Sequence, residues 1–178
     1  MRHPVLLALL LALVPACGGG GQYGYAHEYS NIDGEDVYAR RVVDTSYEEV
    51  RRARTEDQTF IGWFGVVAEP PVTEGGVTRL SLSLRAHQDR HLCSTSSSDS
   101  CRVTVSEREI GRFTALVHLR PEDAGSDTTR MNVGSLVRVY GRSTGNDAND
   151  FPIIEAEWYR HWPAHYYVTT SAASSMRR

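Results

Sequence analysis

Residues 77–87 read VTRLSLSLRAH. Leu80, Leu82 and Leu84 alternate with Ser81, Ser83 and Arg85, which puts one apolar row and one polar row on opposite faces of a half-buried strand. Upstream, residues 59–69 read TFIGWFGVVAE, rich in aromatic and β-branched residues, and stop at Pro70-Pro71. Gly62 and Gly65 are expected there as bend or bulge points. Glu74-Gly75-Gly76 reads as the turn between these strands. Downstream, a short strand is expected at residues 102–106, another from Gly111-Arg112-Phe113 to Leu119, a third at residues 135–143 and a last one at residues 152–158. Residues 121–132 and 144–150 are polar and turn-rich.

One helix is expected, over residues 44–54. Ser46 and Glu49 have capping-box spacing, and acidic residues precede Arg51, Arg52 and Arg54 as the helix dipole favours. That arginine group reads as a solvated face, or as a contact for lipid phosphates. Five main strands, one short peripheral helix, no βαβ repeat and glycines inside the strands describe an all-β chain. The count and length fit a small five-stranded barrel of the oligonucleotide/oligosaccharide-binding (OB) type, with a small sandwich as the alternative.

The N-terminus carries a different signal. Arg2 and His3 precede an apolar run from Val5 to Val14, too short to span a membrane and suited to a secretory leader. Leu13-Val14-Pro15-Ala16-Cys17-Gly18 has an aliphatic residue, a small residue and a cysteine where a bacterial lipobox has them. The expected organisation is a signal peptide at residues 1–16, a lipidated N-terminus and flexible tether at 17–43, a barrel domain at 44–170 and a frayed tail at 171–178. Two or three acyl chains on Cys17 bury enough methylenes, at about 0.8 kcal/mol each, for stable attachment to membrane lipid. Gly18-Gly19-Gly20-Gly21 then reads as a tether. An ordinary signal peptide followed by a chance cysteine is the competing reading.

With Cys17 assigned to lipid, two of the three cysteines remain. Cys93 and Cys101 flank a wholly polar run, Ser94-Thr95-Ser96-Ser97-Ser98-Asp99-Ser100, which a disulfide would restrain in an oxidising compartment. The competing reading is a metal site drawn from His87, His91, Cys93 and Cys101, with His118 if the fold delivers it. No tight Cys-x-x-Cys knuckle supports it, and neither a metal nor any other cofactor is expected.

All 19 basic residues are arginine, which excludes Schiff-base lysine chemistry and a lysine-dependent phosphate loop. With 22 acidic residues the net charge is −3, a balance taken to exclude nucleic acid as a partner.

Gly62-Trp63-Phe64-Gly65-Val66-Val67, the Gly111-Arg112-Phe113 step, Gly134-Ser135-Leu136-Val137-Arg138-Val139-Tyr140-Gly141 and Phe151-Pro152-Ile153-Ile154-Glu155-Ala156 before Trp158 follow one another beneath the lipobox. This order resembles the Slp family of outer-membrane lipoproteins, over residues 58–162. Phe64 interrupts the family's paired glycines, Arg138-Val139-Tyr140 stands for its Thr-Val-x, and Phe151 stands for a tyrosine. The resemblance implies an envelope lipoprotein at the outer membrane with an OB-like barrel and no catalytic residues. In enteric bacteria the family is associated with starvation or acid stress.

No Gly-x-Ser-x-Gly, His-Glu-x-x-His, phosphate loop or dinucleotide fingerprint is present. Glu155 and Glu157 share a strand face, which reads as solvated rather than as a glycosidase pair. Trp158, Arg160, Trp162 and Tyr166, with His161 and His165, form the densest aromatic cluster and are the candidate residues for binding a small ligand or glycan. Otherwise the tryptophans plug the barrel end or pack on the N-terminal segment. The expectation is therefore a non-catalytic envelope lipoprotein whose barrel serves as a structural or interaction module, with another envelope component as candidate partner. A small-ligand module is the alternative, and a metal-dependent enzyme using His87, His91 and His118 the third reading.

Overall fold

The computed structural model describes residues 29–53, 58–92, 102–125 and 128–175. The leader, Cys17, the glycine tether, and Cys93 and Cys101 with their serine-rich loop lie outside the described residues. The elements run α1 (Glu35–Ala39), α2 (Tyr47–Arg52), β1 (Phe60–Val67), β2 (Val72–Glu74), β3 (Val77–Leu92), β4 (Arg102–Val117), α3 (Pro121–Gly125), β5 (Leu136–Asn146), β6 (Pro152–Trp162), β7 (Val168–Thr169) and α4 (Thr170–Ser175).

Five strands close into a ring. β1 pairs antiparallel with β3 and with β5, β3 with β4, and β5 with β6; β4 meets β6 in parallel through Thr114↔Ile153, Ala115↔Ile154 and Leu116↔Glu155. This is the OB-like architecture expected from the strand pattern. β2 extends the sheet beside β3, and β7 pairs in parallel with the distal part of β4.

The alternation in residues 77–87 does what its period demands. Leu80, Leu82 and Leu84 enter the barrel and pack with Ile61, Val67, Phe113, Ala115, Val137, Val139 and Ile154. A second apolar cluster, Phe64, Val103, Val105, Leu136 and Trp162, lies apart from this interior core and gathers Tyr29, Val66 and Tyr167 around it.

Several elements differ from expectation. β4 is one strand where two short ones are read from the sequence, because its ladder with β3 absorbs the polar stretch around Glu107–Glu109 through register shifts at Leu84/Arg85 and Arg85/His87. Gly62 and Gly65 are not bulges, since the β1–β5 register runs unbroken from Phe60↔Arg142 to Val66↔Leu136. They are close-approach positions: a Cβ on Gly62 would stand 2.8 Å from Val42 Cγ2, and one on Gly65 would stand 2.9 Å from Leu82 Cβ. In the β5–β6 ladder the register shifts instead between Tyr140 and Gly141 and between Ser143 and Asn146.

α2 forms where the capping box predicts it, with the Ser46 hydroxyl accepting from the Glu49 N–H and the Ser46 N–H donating to Glu49 Oε2. It docks through Tyr47, whose hydroxyl donates to the Arg112 carbonyl at 2.8 Å. Three further short helices accompany it among the described residues. α4 begins at Thr170, and the Ser171 N–H donates to Glu107 Oε1 at 2.6 Å. Residues 29–43, the described part of the segment read as tether, are folded against the barrel. We call this segment the strap.

Candidate functional site: the socket beneath the strap

The site begins with the period of two in β5 and β6. Val137, Val139 and Tyr159 enter the barrel core, so Arg138, Tyr140, Trp158, Arg160 and Trp162 share the opposite face. Arg138 and Arg160 stand directly opposite one another in the ladder. Like charges in that relation repel, so two buried guanidiniums there call for an anion.

Glu35 supplies it. Its side chain is 0% exposed, against 16% for Arg138 and 4% for Arg160. Oε1 accepts from the Tyr29 hydroxyl at 2.5 Å, the Tyr140 hydroxyl at 2.7 Å and Arg138 NH1 at 3.1 Å. Oε2 accepts from the Ile32 N–H at 3.1 Å and Arg160 NH1 at 3.3 Å. Arg160 also donates to the Tyr29 hydroxyl at 3.0 Å. Burial, reinforced by the adjacent Glu35 charge, pushes the Tyr29 phenol up to about 12, so it stays a proton donor across the physiological range. Burial raises Tyr140 in the same direction.

Aromatic rings wall the polar centre. The Arg138 guanidinium lies 4.5 Å from the Tyr29 ring centroid, 4.7 Å from Tyr140 and 4.9 Å from Phe64; that of Arg160 lies 4.7 Å from Trp162. Tyr38 stacks on Trp158 at 5.9 Å and 21°. At the rim, Arg41 makes a bidentate pair with Glu157 at 2.6 and 2.8 Å, and its guanidinium sits 4.0 Å from the Phe60 centroid.

Three of the four candidate ligand-binding residues therefore meet in one place, but their occupant is the chain's own strap. Trp162 is 2% exposed and Trp158 is half-buried beneath Tyr38. Tyr166 does not join them and is 51% exposed. An open aromatic platform is not what the fold builds. Glu35, the centre of the site, reads in the sequence only as part of an Asp-Gly-Glu turn. The signal that points to it is the pair of arginines opposite one another on the outward face of two neighbouring strands.

A second polar cluster ties α3 to β6. Asp123 Oδ1 lies 2.6 Å from His161 Nδ1, Asp123 Oδ2 accepts from the Tyr159 hydroxyl at 2.6 Å, and that hydroxyl accepts from the Arg120 N–H at 2.9 Å. Burial alone would raise the Asp123 carboxyl. The hydrogen bonds from His161 and Tyr159, with the charges of His161 and Arg120, outweigh it and hold the group below the ordinary aspartate value. His161 Nε2 is buried with no hydrogen-bond partner among the described residues, so no nucleophile is aligned with it there. Glu155 is exposed. His87 stacks on Phe64 at 4.6 Å, while His118 Nδ1 lies 3.1 Å from the Gly76 carbonyl near the other end of the β3–β4 hairpin. Among the described residues no group of three or more metal-ligating side chains converges; the His91 side chain, Cys93 and Cys101 are outside that set. Arg51 and Arg52 are engaged by Glu48, and Arg51 also by Asp150.

No protein-family model matches the chain, and no curated protein does. Among solved structures, it is similar to the small single-stranded DNA-binding protein from Streptomyces coelicolor, at 21% identity and a TM-score of 0.39, over 60% of this chain and 93% of that one. One expectation is corrected here: nucleic acid is not excluded as a partner. The exclusion rested on net charge, which is a sum over the whole chain, whereas a polyanion meets only a local surface.

Proposed function

We propose that the chain is a non-catalytic lipoprotein of the bacterial envelope, attached at the outer membrane through lipid on Cys17 and related to the Slp family. Its OB-like barrel serves as a structural or interaction module for another envelope component. The observation that carries this reading is the strap. The segment leading away from the lipobox docks on the barrel through a fully buried carboxylate, so the anchor and the barrel are joined at a defined face. Residues 18–28 can separate that face from the lipid by at most about 40 Å when fully extended. Attachment of this kind holds a barrel near the bilayer surface without a spanning element. The alternative use of the Trp158–Trp162 face by a glycan would require the strap to leave.

The test is mass analysis of the protein extracted from membranes. The proposal expects an N-terminal peptide beginning at Cys17 with added acyl mass, and release of a Cys17→Ser variant from the membrane fraction. An unmodified Cys17 refutes it. Thiol counting on the same material, before and after reduction, reads the Cys93–Cys101 disulfide proposed with it.

A further inference from the structure

Without the strap, the β5–β6 face would present two opposed arginines, the Tyr140 hydroxyl, and a shelf of Trp158 and Trp162. Such a face demands a carboxylate flanked by rings. The strap provides one, yet has little structure of its own. α1 has five residues, begins at Gly34 with φ 85° and no side-chain cap, and has no basic residue in its last turn. A helix this short does not persist alone. Val37 and Val43 point outward, 59% and 54% exposed. The strap is therefore ordered by its socket.

The next element is independent of it. The α2 capping box is closed between Ser46 and Glu49, so α2 keeps its start whether or not the strap is docked. Asp44 and Thr45, between the Val43 N–H bond to the Phe60 carbonyl and the cap, form the natural pivot.

We propose that the socket is a receptor for this segment in trans, and that its occupant is the strap of a second copy of the chain. Charge complementarity names the occupant. The socket reads a carboxylate at position 35, a phenol six residues before it and a ring three residues after it, and the strap spells that pattern. Every contact made within one copy can be remade between two without creating new surface, which makes exchange a low-cost route to a dimer. The proposal goes beyond the anchoring reading and does not depend on lipid at Cys17.

The test uses the full chain in detergent and a fluorescent peptide of residues 29–43. In the wild-type chain the resident strap competes with the peptide. In a Glu35→Gln chain the resident strap has lost its charge while the socket is intact. The peptide should bind this variant at least about tenfold more tightly than wild type, since a hydrogen bond to a charged group is worth about that factor or more. A peptide carrying Glu35→Gln should bind neither. A Tyr38→Ala chain, which loosens the strap without touching Arg138 or Arg160, should behave like Glu35→Gln and serves if that variant does not fold. Mixing Glu35→Gln with an Arg138→Met/Arg160→Met chain should give a one-to-one complex, because one offers a socket and the other a strap. Equal peptide affinity for loosened and wild-type chains, or no complex between the two variants, overturns the proposal.

Discussion

Replacing Glu35 with alanine removes a carboxylate from between two opposed guanidiniums. Its carboxylate accepts from Tyr29, Tyr140, Arg138, Arg160 and the Ile32 N–H, and its side chain is fully buried. Hydrogen bonds to charged groups are worth about 1.5–3 kcal/mol each, so the two arginine contacts alone suggest about 3–6 kcal/mol. Breaking a buried ion pair from one side costs about 3–5 kcal/mol. The strap sets a ceiling on this cost, since undocking returns both arginines to water at the expense of the strap's remaining contacts. The expected loss is therefore near the low end, about 3 kcal/mol, read as a lowered midpoint in urea. Trypsin gives a second readout, because Arg40 and Arg41 lie in the strap and should be cut faster once it is free. The same logic predicts rescue. In a Glu35→Leu chain, adding Arg138→Met and Arg160→Met should restore much of the stability, because an apolar replacement of a whole buried ion group is often neutral or better. A loss below about 1 kcal/mol with unchanged trypsin cutting refutes the assignment of Glu35 as the hub.

Three further outcomes follow from the geometry. Gly141→Ala should be among the most damaging single-methyl additions, costing about 3 kcal/mol in urea unfolding, since its Cβ would stand 2.1 Å from the Glu155 carbonyl oxygen across a bulge that backbone cannot easily vacate. Ser46→Ala should cost about 1 kcal/mol by the same assay, through loss of the α2 cap. Asp123 has a folded pKa below its unfolded value, so the stability it adds is complete above about pH 4 and is lost as pH falls through the lower folded value. Asp123→Asn should flatten the decline in melting temperature below pH 4, and a decline as steep as wild type contradicts that sign.

What the sequence discloses and what it hides divide along a physical line. The interior of the barrel is written in local alternation: Leu80, Leu82 and Leu84 predict their own burial, and Ser46 with Glu49 predicts the start of α2. These signals need only near neighbours. The ring closure between β4 and β6 is a parallel pairing of residues far apart in sequence, and no local period encodes it. The socket is harder still. Arg138 and Arg160 read as the polar face of strands, which is where such residues ordinarily meet water. Only the strap, returning from more than a hundred positions upstream, turns that face inward. Glu35 has no local mark because its partners are all chosen by tertiary structure. Trp158 and Trp162 share one strand face, as their spacing in the sequence suggests, but each packs on its own rings, Tyr38 and Tyr140 for Trp158 and Tyr29 and Phe64 for Trp162. The choice between a platform and a packed face depends on the strap.

The socket exists only if the strap is docked on the β5–β6 face in the native protein. Hydrogen–deuterium exchange with peptide-level mass analysis reads this directly over residues 29–43. The Glu35 N–H donates to the Ile32 carbonyl, the Ile32 N–H to Glu35 and the Val43 N–H to the Phe60 carbonyl. Protection well above the random-chain rate in the wild-type strap, lost in Glu35→Ala while peptides from β3 and β5 stay protected, is the predicted result. Exchange of residues 29–43 at the random-chain rate in the wild-type protein would contradict it.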